Sequence, residues 1–433
     1  MLTRRRRHRA ALATPALGPT ARLFATVLGL ALIAADARAE EPLFIPNWVA
    51  ETSAELERDF DLDADEPDRV VGAEVMLRLG LTLLPGRDVS GYMELEAPIQ
   101  REWEEDERPE TERILRLNQA FLRLRAPSLD AEARVGRWLF RDAREWLIDE
   151  NLDGVRLTFA PDNWAVELLA GRVNALQRDL LDRGTRGDRV WELAALAERE
   201  VADDLVVGGY AFAQIEDQDE RDRPLHLGLR ARGLTFPDTA LAGLGFWADA
   251  GVVRGRADGR TLRGWGFDVG VVHSFDDLPA RPRLQLGYAF GSGGDGPDGP
   301  DRAFRQTGLH SNEAERGSIA KYKYYGEALD PELSNLGVLT VGAGASFGEN
   351  VTLDLVYHRY RKHRARGELR DIALSADPDL PFRAVGEGLD LVLGLRPARN
   401  VEVEAAIGLF RPGRAFVERD RALFGRVEVK FRF

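Results

Sequence analysis

The sequence contains no cysteine, and it contains no long apolar run beyond its first 40 residues. The absence of cysteine excludes a disulfide framework and a thiolate metal site. No stretch after residue 39 approaches the roughly 18 consecutive apolar residues that identify a transmembrane helix. The chain from residue 40 onward is therefore either a secreted soluble protein or a protein that crosses a membrane with β-strands.

The sequence also lacks net positive charge. The formal net charge is −13, and residues 1–39 contribute seven arginines against one aspartate, so residues 40–433 alone carry −19. Binding to nucleic acid depends on clustered Lys and Arg that neutralise phosphates. We therefore exclude nucleic acid as a partner.

Motifs of catalytic or metal chemistry are missing as well. None of the five histidines after residue 39 lies in a G-x-S-x-G or H-E-x-x-H setting, and His310-Ser311 are adjacent without any such context. Carboxylates are spread over the polar faces rather than paired. We predict that the protein is not an enzyme and needs no metal or cofactor. The alternative, an outer-membrane enzyme acting on lipid or polysaccharide, requires a fixed nucleophile–histidine–carboxylate contact, and we expect none.

The first 39 residues have the form of a secretory signal. A basic region, "RRRRHR", precedes an apolar run from Leu23 to Ala35, and Ala37-Arg38-Ala39 forms a small-x-small cleavage site. The apolar run is shorter than the roughly 20 residues that a spanning helix needs. We predict that residues 1–39 are a cleaved signal peptide and that residues 40–433 form the exported protein.

What the sequence has in quantity is alternation of apolar and polar residues. "GEGLDLVLGLRP" places four leucines on one face, "PARN" turns the chain, and "VEVEAAIGLF" resumes the pattern. The last eight residues, "RVEVKFRF", alternate in the same way up to Phe433. Counting similar segments along the chain predicts about 18 strands.

The length of these segments favours a membrane barrel over a β-sandwich. Crossing the hydrocarbon takes about 9–11 residues per tilted strand, whereas sandwich strands are mostly about 5–6 residues long. Short turns alternate with longer polar stretches near 100–113, 253–263 and 291–335, the last of which we predict to be a mobile loop. Trp164, Trp265 and Tyr288 lie on apolar faces, as an aromatic girdle requires. The prediction is an all-β fold: a single transmembrane antiparallel barrel of about 18 strands.

The polar faces of the predicted strands carry charges of both signs. Basic side chains in a pore lower the barrier for anions, and acidic ones favour cations. Acids interleave with them, among them Glu94, Glu167, Asp249, Asp268, Asp354 and Asp390. The parity of the strands predicts that the pore-lining residues include Arg156, Arg230, Arg232, Arg396, Arg426, Lys430 and Arg432.

Several segments resemble the alginate export family of outer-membrane porins. They are "RVGRWLFRDAREWLIDENLDGVRLTF", "LGYAFGSGGDGPD" with "FRQTG" and "KYKYYG", "LSNLGVLTVGAGASFGENVTLDLVYHRYRK" and "GEGLDLVLGLRPARNVEVEAAIGLFRPGRAF". The resemblance implies an 18-stranded barrel with an electropositive constriction of inward arginines. It assigns Arg137 and Arg156 to that constriction, with Arg396 and Arg411 as further candidates. Arg137 falls on the apolar parity of its strand, which predicts a bulge or a strand end there.

These observations lead to one leading hypothesis and one alternative in the same membrane. We expect a passive outer-membrane channel that exports an anionic exopolysaccharide, an alginate-like polyuronate, through an arginine-lined pore. The alternative is a general or nutrient-uptake porin for small anions. Expected partners are the anionic polysaccharide, outer-membrane lipid, the barrel-assembly machinery through the terminal Phe433, and periplasmic proteins of a secretion complex.

Overall fold

The computed structural model describes residues 42–65, 68–104, 108–175, 179–181, 189–216, 222–235, 243–294, 299–316 and 319–433. The predicted signal peptide, residues 1–39, lies outside this part of the chain. No helix in the described part is long and apolar enough to cross a membrane. One 3-10 turn, Pro127–Leu129, lies between two strands.

Eighteen antiparallel strands form a closed barrel, as predicted. Each pairs with its neighbours in chain order, and the first pairs with the last, so that the sheet has no free edge. The strands are β1 (Phe44–Arg58), β2 (Arg69–Leu83), β3 (Val89–Glu104), β5 (Arg116–Ala126), β6 (Ala131–Arg141), β7 (Asp149–Phe159), β8 (Trp164–Val173), β9 (Val190–Ala202), β10 (Leu205–Glu216), β11 (Arg223–Thr235), β12 (Leu244–Ala257), β14 (Trp265–Ser274), β15 (Arg283–Gly291), β18 (Leu336–Phe347), β19 (Val351–Lys362), β20 (Ala384–Ala398), β21 (Val401–Pro412) and β22 (Ala422–Arg432).

Four short strands complete the fold. β4 (Glu110–Arg113) pairs with the end of β3, and β13 (Arg260–Leu262) pairs with the end of β12. The polar stretches near 100–113 and 253–263 are thus largely strand, and the second turns at Asp258-Gly259, where Gly259 has a φ of +70°. β16 (Glu313–Arg316) and β17 (Ala320–Lys323) form a separate hairpin between β15 and β18.

The alternation of the sequence becomes two faces of one wall. In β20, Leu389 and Leu391 are exposed on the outside, while Asp390 between them is buried on the inside. The same division in the other strands covers the outer surface with apolar side chains. An apolar band of this kind suits lipid, and a closed barrel leaves no backbone group unpaired in the hydrocarbon.

The two ends of the barrel differ. At one end the turns are short, for example 84–88, 348–350 and 399–400; at the other, the connections are long, for example 142–148, 292–335 and 363–383. We call these the short-turn end and the long-loop end; in outer-membrane barrels they face the periplasm and the exterior, respectively. β1 begins and β22 ends at the short-turn end, where the Trp48 and Phe433 rings stack 3.7 Å apart.

Candidate functional site

A ladder of ion pairs lies on the inner wall near the short-turn end. Arg396 on β20 contacts Glu402 on β21 with an Nη2–Oε1 distance of 2.9 Å, and Arg432 on β22 binds the other oxygen of Glu402. Lys430 lies directly across from Glu402 in the β21–β22 pairing, and its Nζ is 2.6 Å from Glu428 Oε1. Three strands thus share one set of alternating charges.

The ladder continues across the closure of the barrel. Lys430 Nζ is 3.3 Å from Glu51 Oε2 on β1, and Arg78 Nη1 on β2 is 3.6 Å from the same oxygen. Arg78 Nε is 2.6 Å from Glu96 on β3, which Arg116 approaches from β5 to 3.4 Å. These contacts therefore run over seven strands: β20, β21, β22, β1, β2, β3 and β5. We call this set the wall ladder: Glu51, Arg78, Glu96, Arg116, Arg396, Glu402, Lys430 and Arg432.

The cations of the wall ladder reach further into the lumen than the carboxylates do. The side chain of Arg78 is 31% exposed and that of Glu96 is 6% exposed. Arg432 is 52% exposed, and its partner Glu402 is 12% exposed. The long guanidinium side chains extend past the shorter acids, which lie against the backbone. A solute that passes along the wall ladder therefore meets more positive charge than the numbers of acids and bases in the ladder alone would give.

Arg156, Arg230 and Arg232 also point inward, each against acids. Arg156 Nη2 is 2.5 Å from Glu167, and Arg232 binds both oxygens of Glu198 at 2.8 and 2.6 Å. Arg230 is almost completely buried between Asp142, Asp249 and Glu198. Arg156 and Arg232 are partly accessible from the lumen, whereas Arg230 is enclosed.

Arg137 is a buried component of the wall. It is 2% exposed, binds Asp153 on β7 through two hydrogen bonds of 2.7 Å, and donates to the carbonyl of Leu117 on β5. The pairing of β5 with β6 ends at Arg137, so the guanidinium bridges the point where these strands separate. The contacts of Arg137 are those of a group that joins strands.

The two remaining predicted residues have different surroundings. Arg411 shares the parity of the outward Ile407 and Leu409, and its side chain is exposed. Arg426 faces inward, where the nearest charges are those of Glu313, Glu327, Glu404 and Glu428. The structure therefore brings Arg396, Lys430 and Arg432 together and places Arg411 on the opposite side of the wall.

Two connections from the long-loop end fold into the lumen. We call the described residues of 142–148 and 292–335 the inner loops. They bind each other, because Thr307 Oγ1 donates to the carbonyl of Leu147 and Gln306 Nε2 donates to that of Trp146. Trp146, Phe304, Tyr322, Tyr324, Tyr325 and Leu333 pack there in a buried apolar cluster with inward side chains of the wall. The described residues of 292–335 are therefore packed into the barrel, and the mobility of this loop stays a prediction.

Arg144 is a cation of the inner loops that contacts two carboxylates of the wall. Its Nη2 lies 2.6 Å from Asp268 on β14, and its Nε lies 3.3 Å from Asp249 on β12. The guanidinium is also 4.7 Å from the centre of the Trp247 ring and 4.2 Å from that of Tyr324. Burial opposes its charge, but the neighbouring Asp268 more than compensates, so that the pKa of Arg144 is raised.

Two carboxyl groups of the inner loops have strongly shifted pKa values. Burial raises the pKa of Glu327 to about 7, an effect that Arg426 opposes and Asp390 reinforces. Burial likewise raises the pKa of Glu332 to about 7, against a hydrogen bond from the backbone N–H of Gln306. Folding of the inner loops into the lumen therefore favours the protonated form of both groups.

A threonine, a histidine and an aspartate meet on the inner wall, contrary to our expectation that no such contact exists. Thr340 Oγ1 is 3.0 Å from His358 Nδ1, and His358 Nε2 is 3.1 Å from Asp390 Oδ2. All three side chains are buried, and Glu327 of the inner loops covers Asp390 through a backbone hydrogen bond. No substrate can reach the hydroxyl in this arrangement, so the contact is a packing element of the wall.

The comparison with protein families decides where this chain belongs. Residues 29–430 match the family model described as alginate export. The chain belongs to the alginate export family. Two similar proteins are named alginate production protein AlgE: that of Pseudomonas aeruginosa is 29% identical over 44% of each chain, and that of Azotobacter vinelandii is 27% identical over 38% of each chain. The alignments thus span less than half the length of these curated relatives.

Solved barrels share the fold at low identity. OccK7 (OpdD) of Pseudomonas aeruginosa aligns with a TM-score of 0.60 and 12% identity, covering 90% of this chain and 98% of that one. OccK2 (OpdF) of the same organism, in complex with glucuronate, aligns with a TM-score of 0.54 and 13% identity, covering 90% and 98%. Family membership and the closed 18-stranded barrel together indicate an outer-membrane barrel protein.

Proposed function

We propose that this alginate export family member is a passive channel that releases an anionic exopolysaccharide, an alginate-like polyuronate, along the basic side chains of its inner wall. The observation that carries the proposal is the asymmetry of the wall ladder, in which the cations are more exposed than their carboxylates. A polyuronate carries one carboxylate per sugar, and guanidinium groups bind carboxylates through paired hydrogen bonds.

The ion pairs of the ladder suit passage better than tight binding. Each exposed cation already has a carboxylate partner, so a passing uronate replaces one contact with a similar one. Conduction requires binding that is favourable enough for the solute to enter and weak enough for it to leave. A ladder of partly satisfied cations meets both conditions. We assign this role to Arg78, Arg396, Lys430 and Arg432 of the wall ladder. The partly accessible Arg156 and Arg232, which lie outside the ladder, share it.

The distribution of acids is compatible with the passage of a polyanion. The wall ladder lies near the short-turn end, whereas exposed acids such as Glu102, Glu104, Glu110 and Glu112 lie at the long-loop end. A net charge of −13 is therefore compatible with a basic inner wall. A polyanion that has passed the ladder is not held at the outer mouth.

Ion selectivity in planar bilayers tests the proposal. We expect the wild-type channel to select anions and to be blocked by added oligouronate. Replacing Arg78, Arg396 and Arg432 with Gln should reduce both properties, and replacing Arg156 with Ala should weaken anion selectivity. The matched control is Arg87→Gln/Arg281→Gln/Arg399→Gln, which removes the same charge from exposed turns at the same end. Cation selectivity without block would refute the proposal.

The uptake of small anions remains the second candidate. The solved barrels named above share the fold alone, so they lend it little support. The two functions differ in their response to polymer length. A channel for export should be blocked more effectively as the oligouronate lengthens, because successive carboxylates engage successive cations, whereas a small-anion porin should respond to glucuronate and to longer oligomers alike.

A further inference from the structure

Four arginines cluster on the outer surface at the long-loop end of β11 to β14. Arg223 lies directly across from Arg256, and Arg254 lies two residues from Arg256 on the same face of β12. Arg263 precedes Trp265 by two residues and is exposed, as the other three are. Within the described residues, no carboxylate forms an ion pair with any of the four. We call Arg223, Arg254, Arg256 and Arg263 the rim arginines.

An aromatic patch lies on the same outer surface immediately below them. Trp265 pairs directly with Val252, the residue two positions before Arg254. The rings of Trp265 and Phe290 are 4.9 Å apart, those of Phe267 and Phe290 are 5.7 Å apart, and those of Phe267 and Tyr288 are 6.0 Å apart. Trp265 and Tyr288 are nearly half exposed. Such a patch marks the boundary between hydrocarbon and headgroups.

The guanidinium of Arg254 is held in place. Its Nη1 donates to the carbonyls of Val253 and Gly264, at 2.9 and 3.1 Å, which leaves its other N–H groups available. Two acids lie close to this cluster: Asp258, just beyond β12, is engaged by Arg305 and Arg370, and Asp222, beside Arg223, accepts the backbone N–H of Asp258. Among the described residues, the rim arginines thus have no ion-pair partner and present positive charge beside the aromatic patch, in a chain that is acidic as a whole.

We propose that the rim arginines and the aromatic patch bind a phosphorylated glycolipid of the outer leaflet, of the bisphosphorylated lipid A class. The phosphates contact Arg254, Arg256 and Arg263, and the acyl chains lie on Trp265 and Phe267. Two arguments select this occupant. The long-loop end faces the outer leaflet, and several arginines within one or two residues of each other match a headgroup with more than one phosphate.

A second group of outward arginines is a weaker match. Arg359 and Arg411 are separated by Glu387, which pairs directly with both in the sheet. The central carboxylate there offsets the positive charge. The rim arginines have no such acid between them, which is why the proposal concerns β11 to β14.

Lipid binding to the purified full-length protein tests this proposal by native mass spectrometry. The probes are bisphosphorylated lipid A, the same lipid without its phosphates, and phosphatidylglycerol. We expect Arg254→Gln/Arg256→Gln/Arg263→Gln to weaken the binding of bisphosphorylated lipid A by about 100-fold, given the typical effect of an arginine at an anionic surface. Wild-type protein should bind the other two lipids much more weakly.

The control variant is Arg87→Gln/Arg199→Gln/Arg399→Gln. It removes three exposed arginines from the opposite end of the barrel and should bind lipid A as the wild type does. Equal binding by the rim variant and the control would overturn the proposal. Equal binding of phosphatidylglycerol or of the dephosphorylated lipid by the wild type would also overturn it, because either result would indicate a general interfacial surface.

Discussion

Replacing Arg144 with alanine should release the inner loops from the wall. The side chain contacts two wall carboxylates, Asp249 and Asp268, and lies between the rings of Trp247 and Tyr324. No other inner-loop cation contacts these two acids in the described residues. Its removal therefore leaves Asp268 buried without its cation and deletes two cation–π contacts.

The size of the effect follows from these contacts. Removing one partner of a buried ion pair typically costs about 3 to 5 kcal/mol, because the other charge is left uncompensated. Each partly buried cation–π contact adds about 1 kcal/mol. A loss of about 3 kcal/mol already raises the population of released loops by about two orders of magnitude.

Two measurements follow the release. The first is single-channel conductance, which we expect to increase because the inner loops occupy the lumen. The second uses the absence of cysteine from the chain. Ser334 is fully buried in the inner loops, so Ser334→Cys introduces one thiol that should be protected from a maleimide reagent and should become reactive when Arg144 is also replaced.

The control is Arg141→Ala, which removes a more exposed arginine that contacts Asp149 and Glu145 near the same connection. It should change conductance and labelling less than Arg144→Ala does, because the Arg141 side chain is 39% exposed and water screens its ion pairs. Arg144→Met/Asp268→Asn should restore much of the protection, since it removes the uncompensated charge. If Arg144→Ala leaves both conductance and the reactivity of residue 334 unchanged, Arg144 does not hold the loops.

Three further predictions concern pH, backbone conformation and the closure of the barrel. The pKa values of Glu327 and Glu332 are about 7 with the loops folded inward, against the 4.5 that is ordinary for a glutamate. This arrangement should therefore lose up to about 3 kcal/mol per group as pH rises from 4.5 to 7, and conductance should rise over that range. The rise should shrink in Glu327→Gln/Glu332→Gln; a rise that the double variant keeps would contradict the assignment. Gly136 has a φ of +129° and no room for a Cβ beside the carbonyl of Ala120. Gly136→Ala should therefore lower the free energy of unfolding in urea by about 1 to 3 kcal/mol. A loss no greater than that of Gly72→Ala would show that the backbone at Gly136 is not strained by a Cβ. Phe433→Ala should remove the stack on Trp48 and lower the free energy of unfolding by about 1 kcal/mol, because the stack supports the β1–β22 closure. The change should be visible as a lower melting temperature. An unchanged melting temperature would show that the stack contributes nothing.

The strands that could be predicted are those whose two faces differ most. β20 and β21 alternate leucine or isoleucine with glycine, aspartate and glutamate, so their pattern alone gives strand, face and turn. β1 escaped prediction because its outward residues include Ala50, Thr52 and Ala54, which are too small or too polar to stand out. Its neighbours β2 and β22 supply the register that its own sequence does not specify.

The candidate site was only partly accessible to the same reasoning. Parity grouped Arg396, Lys430 and Arg432 on one face of their strands. It could not reveal that Glu51 on β1 connects Lys430 with Arg78, because that contact crosses the closure of the barrel. The inner loops were missed for a different reason. Glycine and aspartate dominate the start of segment 291–335, and the aromatic residues in "KYKYYG" were the one sign that part of it packs into a core.

Release of oligouronate from vesicles tests the central claim most directly. Vesicles that contain the protein are loaded with a fluorescent oligouronate and a neutral glucan oligomer of the same length, and the escape of both is followed. The basic inner wall predicts that the oligouronate escapes faster, and that the preference falls when Arg78, Arg396 and Arg432 are replaced with Gln. Equal escape of the two polymers, or retention of the oligouronate while the neutral glucan escapes, would contradict export of a polyanion along this wall.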